Sequence, residues 1–242
     1  MSEEAAAPPA EDEGPRDVVK YTFLHLRPEW RRLAPELREE GRARFASVLE
    51  SPPDGLIVRT YSLTGLKAAT EMMVWSIAAA LEPIQELHAR LFGGPLGGYL
   101  ETAYSYLGMA RRSEYLGAPA HGGEGSEVRR RPHDRPYLFV YPFGKKREWY
   151  GLAFAERQRI MGEHFRIGHR FPKVEIHTGY SFGLDDMEFI LAFEAESPAD
   201  FLDLVHALRP SEASRYTALE TPIFSCVRTS PRRMIELADG LP

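Results

Sequence analysis

Residues 136–186 read PYLFVYPFGKKREWYGLAFAERQRIMGEHFRIGHRFPKVEIHTGYSFGLDD, and several secondary-structure elements can be recognised in this one stretch. Residues 137–143 are rich in aromatic and β-branched side chains, which favours a strand that leads into a basic turn. Residues 154–171 place apolar side chains three and four positions apart, which is typical of an amphipathic helix. Residues 174–182 alternate between apolar and polar side chains, so a second strand is predicted before Gly-Leu-Asp-Asp.

One histidine of the predicted helix lies on its apolar stripe. His164 shares this stripe with Ile160, Met161, Phe165 and Gly168. By spacing alone, a histidine in this position is more often a hydrogen-bonded core residue than a metal ligand. Gly168 has no side chain and leaves room for a flat group one turn away. We therefore interpret His164 as the iron ligand of a haem held between helix and sheet, with the core histidine as the alternative.

The strand over residues 174–182 offers two candidates for the opposite side of the cofactor. Because side chains alternate across a strand, Ile176 is expected to face the cofactor and His177 to face away from it. His121, in the glycine-rich region before residue 136, is a third candidate as a mobile distal base. The identity of the distal residue stays open among these three.

Three further side chains could act on a bound porphyrin. Tyr141, at a strand end, is either a core aromatic residue or a redox-active phenol beside the cofactor. Lys145, in the basic turn, is either solvated or paired with a propionate carboxylate. Glu212 could accept a hydrogen bond from the outer N–H of a metal-bound histidine, or be a surface carboxylate.

The order of elements repeats along the chain. Residues 17–110 and residues 136–228 both read strand, helix, strand, strand, helix, strand, which is the ferredoxin-like order. Two such halves predict an α+β fold in which paired sheets close into one dimeric α+β barrel. Residues 111–135 read as a linker or long loop, residues 1–16 as a disordered acidic tail, and residues 229–242 as a terminal helix that could dock on a neighbouring subunit.

Within the first half, residues 30–49 carry apolar side chains at helical spacing and predict one continuous helix. Strands are predicted over residues 21–26, 56–63, 71–78 and 102–109, and a second helix over residues 81–92.

Composition excludes several classes of protein. The chain has 242 residues and a formal charge of −5, and five acidic residues precede Arg16, so the remaining 30 acids balance the 30 bases. A neutral body argues against nucleic-acid binding. No apolar run approaches the ~20 residues of a membrane span, and the N-terminus has no apolar signal segment. Cys226 is the single cysteine, which excludes an internal disulfide and predicts a cytoplasmic protein.

The second half resembles the chlorite dismutase-like haem protein family, which includes coproheme decarboxylases and chlorite dismutases. The resemblance covers residues 137–216 and rests on motifs in constant order, namely Tyr141-Pro142-x-x-Lys145, Glu148-Trp149-Tyr150, Glu156-Arg157, Glu163-His164, Gly183-Leu184-Asp185-Asp186 with Glu188, and Arg209-x-x-Glu212-x-Ser214-Arg215-Tyr216. The family fold is the paired ferredoxin-like barrel, assembled as cyclic homopentamers.

The resemblance implies a site and a reaction. It makes His164 the proximal iron ligand, Glu212 its hydrogen-bond partner and Tyr141 the tyrosine that is oxidised and attacks a propionate. Lys145, Arg209 and Ser214 fall where propionate contacts are expected. The porphyrin is haem b or iron-coproporphyrin III, and the implied reaction uses hydrogen peroxide to convert two propionates into vinyl groups with loss of carbon dioxide.

The distal strand departs from the chlorite dismutase pattern. Those enzymes have an arginine there, whereas alignment from Gly-Leu-Asp-Asp gives Ile176, and counting from His164 gives His177. We therefore predict an oxidative coproheme decarboxylase. The alternatives are a haem-binding chlorite dismutase-like protein, acting as a weak peroxidase, sensor or chlorite-degrading enzyme, and a barrel without a cofactor.

Overall fold

The first half of the chain forms a four-stranded antiparallel sheet. A computed structural model describes residues 15–115 and 131–241. The sheet has the order β4-β1-β3-β2, which is the ferredoxin-like arrangement. Its elements in chain order are β1 (Val18–Leu26), α1 (Pro35–Glu50), β2 (Ile57–Ser62), β3 (Met72–Ala78), α2 (Glu82–Phe92) and β4 (Leu100–Met109).

The second half repeats this arrangement, with the sheet order β6-β7-β5-β9. The predicted helix over residues 154–171 corresponds to α4. The short elements α3 and β8 were not predicted. In chain order the elements are β5 (Tyr137–Lys145), α3 (Arg147–Gly151), α4 (Phe154–Gly168), β6 (Val174–Tyr180), β7 (Phe189–Ala195), α5 (Pro198–Leu208), β8 (Thr217–Leu219), β9 (Phe224–Arg228) and α6 (Pro231–Ala238).

Two seams join the halves into a closed barrel. Met109 of β4 pairs with Tyr180 of β6, and Tyr61 of β2 pairs with Arg228 of β9. Because β5 also pairs with β7, the strands close on themselves, and β8 extends the end of β5 outside the ring. The predicted α+β barrel of two ferredoxin-like halves is confirmed.

The barrel encloses an aromatic core, and helices cover its outer faces. The interior cluster is dominated by side chains that are almost completely buried, among them Tyr21, Phe23, Tyr61, Trp75 and Phe224. Helices α1, α2 and α6 cover the first sheet, and α5 packs on the second. Among the described residues, no helix combines the length and the apolar character needed to cross a membrane.

The prediction of one helix over residues 30–49 was wrong at its start. Trp30 lies in a separate 3₁₀ turn, Pro28–Arg32, and α1 begins at Pro35. Proline is accepted in the first turn of a helix, where its missing N–H has no partner to lose. Trp30 then packs across α1 at Gly41, where an added Cβ would lie 2.4 Å from the indole ring.

The terminal helix packs on its own chain rather than being left free for a neighbour. Met234, Ile235 and Ala238 are buried in the core beneath α1. The buried Asp239 carboxylate pairs with Arg38 at 2.7 Å and with Arg42. The tail predicted over residues 1–16 and the linker over residues 111–135 lie largely outside the described residues, so these boundaries stay predictions.

Candidate functional site

We interpret the space between α4 and the incompletely covered outer face of the second sheet as a slot. Within α4, all of which is described, Ile160 alone is fully buried, and the helix packs mainly on α5 and on the 3₁₀ turn Glu212–Tyr216. The sheet residues below it are incompletely covered, since Phe143 and Leu191 are half-buried and Ile176 is 36% exposed. Apolar side chains left uncovered on a sheet under a helix are typical of a ligand site.

His164 projects from α4 with its two ring nitrogens in different environments. Nδ1 is buried and has no hydrogen-bond partner among the described residues. The side chain as a whole is half-buried, which leaves Nε2 as the accessible nitrogen. Burial, with a smaller effect of the Lys145 cation, lowers the pKa of His164 to about 4. The imidazole is therefore neutral at pH 7, which is the form that binds a metal.

The Lys145 side chain points towards α3 and the 3₁₀ turn Glu212–Tyr216 rather than towards solvent. Its Nζ donates to the carbonyl oxygen of Ala213 at 3.3 Å and lies 4.7 Å from the centre of the Trp149 ring. Burial lowers the pKa of Lys145 to about 8, partly offset by Glu188. Lys145, which was predicted to contact a propionate, is thus already engaged in cation–π and hydrogen-bond contacts next to His164.

Tyr141 lies on the outer face of the second sheet, and Arg209 follows the last residue of α5. The Tyr141 ring is 8% exposed and stacks on Phe193, with ring centres 5.8 Å apart. Burial raises the pKa of Tyr141, Glu220 raises it further and Arg209 opposes the rise. Arg209 donates to Glu220 through a side chain that is half exposed. The phenol is therefore neutral at pH 7, and the guanidinium that acts on it electrostatically is accessible to a carboxylate.

Ser214 and Glu212 both form hydrogen bonds within the chain. The Ser214 hydroxyl donates to the carbonyl oxygens of Arg209 at 2.7 Å and Ser211 at 2.8 Å, so its proton is already engaged. The Glu212 carboxylate accepts from Nη2 of Arg159 at 2.7 Å and forms no hydrogen bond with His164. Arg159 was not singled out from the sequence; it also forms an ion pair with Glu156, three residues earlier in the helix.

Two of the three candidates for the distal position, Ile176 and His177, are separated by the barrel wall. Ile176 lies on the outer face, towards the slot. His177 points into the barrel, where it is 6% exposed and lies 2.7 Å from Oε2 of the fully buried Glu194. Its ring is therefore on the opposite side of the sheet from His164. His121 lies outside the described residues.

Several motif residues hold the walls of the slot in place. Glu188 accepts from the backbone N–H of Lys145 at 2.8 Å and from the hydroxyl of Tyr150 at 2.7 Å. Asp185 accepts from the backbone N–H of Leu107 at 2.7 Å and so ties the Gly-Leu-Asp-Asp turn to β4. These carboxylates satisfy backbone groups rather than face the slot.

The donor set fits a porphyrin better than a bare metal ion. Among the described residues, no three histidine, cysteine or acidic side chains come together as a metal site. A single neutral imidazole suits a metal whose equatorial ligands come from a macrocycle. An added Cβ at Gly168 would meet no atom within 4 Å, so the helix leaves open space one turn after His164.

Comparison with known proteins agrees with this geometry. The model of the family described as Chlorite dismutase matches residues 38–229. The chain belongs to the chlorite dismutase family. A protein named coproheme decarboxylase, from Mycolicibacterium smegmatis (strain ATCC 700084 / mc(2)155), is 31% identical over 230 residues, which cover 90% of this chain and 96% of the relative.

Two solved structures share the fold. A mutant chlorite dismutase from Candidatus Nitrospira defluvii superposes with a TM-score of 0.83 at 24% identity, covering 92% of this chain and 95% of the other. A protein described as a novel heme-binding protein, from Thermus thermophilus, has a TM-score of 0.83 at 20% identity, covering 93% of this chain and 96% of the other. At these identities the likeness establishes the architecture alone.

Proposed function

We propose that this protein is an oxidative coproheme decarboxylase, which converts iron-coproporphyrin III into haem b with hydrogen peroxide. The observation that carries the proposal is the buried phenol of Tyr141, on which the Arg209 guanidinium acts electrostatically, on the sheet that forms one wall of the His164 slot. The relative named coproheme decarboxylase supports the same choice within the family.

Each side chain of the slot has a defined part in holding the porphyrin. Nε2 of His164 is the nitrogen available to iron, because Nδ1 is buried. Arg209 is half exposed and can exchange Glu220 for a propionate, a bidentate contact that arginine favours. The hydroxyl oxygen of Ser214 keeps its acceptor capacity but has no free proton for a carboxylate. Lys145 adds positive charge next to His164.

The bound iron supplies the redox chemistry with peroxide. In this proposal Tyr141 loses a proton and an electron, and its oxidised form takes a hydrogen atom from a propionate side chain. Loss of carbon dioxide and a second electron leaves a vinyl group. Per propionate, the two electrons and one proton that are released, together with one proton from solvent, reduce one hydrogen peroxide to two waters. The raised pKa of Tyr141 keeps the phenol protonated until it is oxidised.

Efficient chlorite degradation is disfavoured by the apolar distal face. Ile176 presents a hydrocarbon side chain to the slot and His177 lies inside the barrel, so neither can hold a chlorite-derived oxyanion. A haem-binding protein with weak peroxidase or sensor function is the second candidate, and it is favoured by the same apolar residue.

The reaction itself is the test. Purified protein is incubated with iron-coproporphyrin III and hydrogen peroxide, and product masses are followed with time. We expect stepwise loss of two carbon dioxide units in the wild type and none in Tyr141→Phe, which removes the oxidisable hydroxyl. Unchanged substrate in the wild type, or full conversion by Tyr141→Phe, would contradict the proposal. Conversion of chlorite to oxygen would favour the alternative.

Porphyrin binding is tested separately. Haem b and iron-coproporphyrin III are titrated into the apo-protein, and His164→Ala is expected to lose the spectrum of an imidazole-bound iron. The control is His206→Ala, which removes an exposed histidine from α5. Equal spectra for both variants and the wild type would remove His164 as the ligand.

We also propose that the protein is a cytoplasmic homo-oligomer, with a pentamer as the expected size. The single cysteine, Cys226, is fully buried, which is compatible with a reducing compartment. Light scattering of the purified full chain gives the particle mass directly, and a monomeric mass would contradict this part of the proposal.

A further inference from the structure

Two arginines lie next to each other on the inner face of the barrel wall, where β9 ends. Arg59 lies two residues before Tyr61 on β2, and Arg228 lies two residues after Cys226 on β9. Tyr61 and Cys226 both belong to the interior cluster, and side chains alternate across a strand, so the arginines share the inner face. The strand ladder brings them together, because Tyr61 pairs directly with Arg228.

Three buried donors of this region have no hydrogen-bond partner among the described residues. They are Nε of Arg59, the hydroxyl of Tyr61 and Nε1 of Trp75. Trp75 lies directly opposite Arg59 in the ladder of β2 and β3, and the Trp75 and Tyr61 side chains are fully buried. A buried donor without an acceptor costs free energy and is rare in folded proteins. Three such donors on neighbouring strands indicate that the region receives an acceptor.

A groove connects the two arginines with solvent. It has a volume of about 480 Å³, it lies between the end of α1, β2 and the chain that leaves β9, and both arginines line it. Among the described residues, no carboxylate lies within ion-pair distance of Arg59. Arg228 pairs with Asp134, whose side chain is 89% exposed. A pair with so exposed a partner contributes little to stability, so an incoming anion can replace Asp134.

We propose that the two arginines, together with the buried donors of Tyr61 and Trp75, form a binding site for a small oxyanion, that is, a phosphate or carboxylate group. Each of these side chains offers an N–H or O–H, and guanidinium groups bind both kinds of anion in a bidentate manner. The site is distinct from the slot of His164, because it lies inside the barrel wall and the slot lies on the outer face of the second sheet.

Two carboxylates near the site limit the kind of anion that it accepts. Glu194 raises the pKa of Tyr61, adding to the larger effect of burial, and Arg228 opposes this rise. Oε2 of Glu194 accepts from His177, so the carboxylate is held within the barrel. Glu50 lines the groove and is exposed. A compact anion between the arginines avoids both carboxylates, whereas a long polyanion would approach them and be repelled.

The experiment measures anion binding by the full-length protein at neutral pH in Tris buffer. Isothermal titration calorimetry is performed with inorganic phosphate and, separately, with acetate, at an ionic strength kept constant with sodium chloride. We expect saturable binding of one anion per chain in at least one of the two titrations. Binding of phosphate alone identifies a phosphate group as the ligand, and binding of acetate alone identifies a carboxylate. Absence of saturable heat in both titrations would overturn the proposal.

Three variants of the site have different expected effects. Arg59→Gln should weaken binding at least about tenfold, because it removes a charge-assisted hydrogen bond, and Tyr61→Phe should weaken it about fivefold. Asp134→Asn should tighten binding about twofold, because the competing carboxylate is lost. Arg32→Gln is the matched control, since Arg32 is an exposed arginine in the 3₁₀ turn Pro28–Arg32, and its affinity should equal that of the wild type.

Asp134→Asn keeps the test decisive if Arg59→Gln fails to fold, because a damaged site does not bind its anion more tightly. Equal affinity in the wild type, Arg59→Gln and Asp134→Asn would show that the anion binds elsewhere and would overturn the proposal. A crystal structure of the complex checks the position, which should be between the guanidinium groups of Arg59 and Arg228. The proposed decarboxylase function is tested by porphyrin binding and turnover, so either proposal can fail without the other.

Discussion

The ammonium of Lys145 lies over the ring of Trp149, 4.7 Å from its centre, on the side of the slot where His164 is anchored. Its hydrogen-bond acceptor is a carbonyl oxygen rather than a carboxylate side chain. Burial without a directly bonded anion explains why the pKa of Lys145 falls to about 8.

Replacing this lysine should therefore have a pH-dependent effect on stability. Between pH 8 and the ordinary lysine pKa of 10.5, the unfolded chain binds more protons at Lys145 than the folded chain does, so the stability of the wild type rises with pH. We expect the stability of the wild type relative to Lys145→Met to be lowest below pH 8 and to improve up to pH 10.5. Urea unfolding of the apo-proteins from pH 7 to 10.5 measures the difference. A constant difference would contradict the buried position of the ammonium.

His164 predicts a second pH dependence, at acidic pH. Its pKa is lowered to about 4 by burial, against 6.5 for an ordinary histidine, so the unfolded chain takes up a proton first as the pH falls. Relative to His164→Gln, the apo wild type should lose stability between pH 6.5 and 4 and be unaffected above pH 7. NMR titration of the imidazole checks the same point, and a midpoint at or above 6.5 would contradict it.

Removing one partner of the buried pair inside the barrel, Glu194 and His177, should destabilise the protein. Glu194 accepts from His177 at 2.7 Å and from the backbone N–H of His133 at 2.8 Å. Glu194→Ala leaves the buried His177 without its acceptor and should lower the free energy of unfolding by about 3–5 kcal/mol. Glu194→Gln retains an acceptor and should lose less, as measured by urea unfolding. Equal losses would mean that the hydrogen bonds contribute little.

The packing of the C-terminal helix α6 should depend on the Asp239 carboxylate. Asp239 is buried between Arg38 and Arg42, and its removal leaves two guanidinium groups beneath α6. We expect Asp239→Ala to lower the free energy of unfolding by about 3–5 kcal/mol. The control is Glu39→Ala, because the Glu39 carboxylate also binds Arg42 but is exposed, and its loss should change thermal stability little. A similar unfolding midpoint for both variants would contradict this role of Asp239.

The element order could be predicted because it depends on local periodicity. Strands of alternating side chains and helices with a 3.6-residue period are properties of neighbouring residues, so both ferredoxin-like halves follow from the sequence. The position of His164 on the apolar stripe of α4 and the opposite directions of Ile176 and His177 follow in the same way. The 3₁₀ turn at Trp30 and the short elements α3 and β8 could not be predicted in this way, because elements with so few residues show no periodic pattern.

The partners of charged side chains were decided by the tertiary structure. Lys145, Arg209, Ser214 and Glu212 were assigned to the porphyrin or to its ligand, yet each has a contact within the chain. The Arg159–Glu212 pair joins residues 53 positions apart, and Asp239 meets Arg42 across 197 positions. A long flexible side chain takes whichever partner the folded backbone brings within reach, and that choice has no period along the chain. The sequence by itself therefore determined which elements form and which faces they bury, whereas only the closed barrel decided which charges meet.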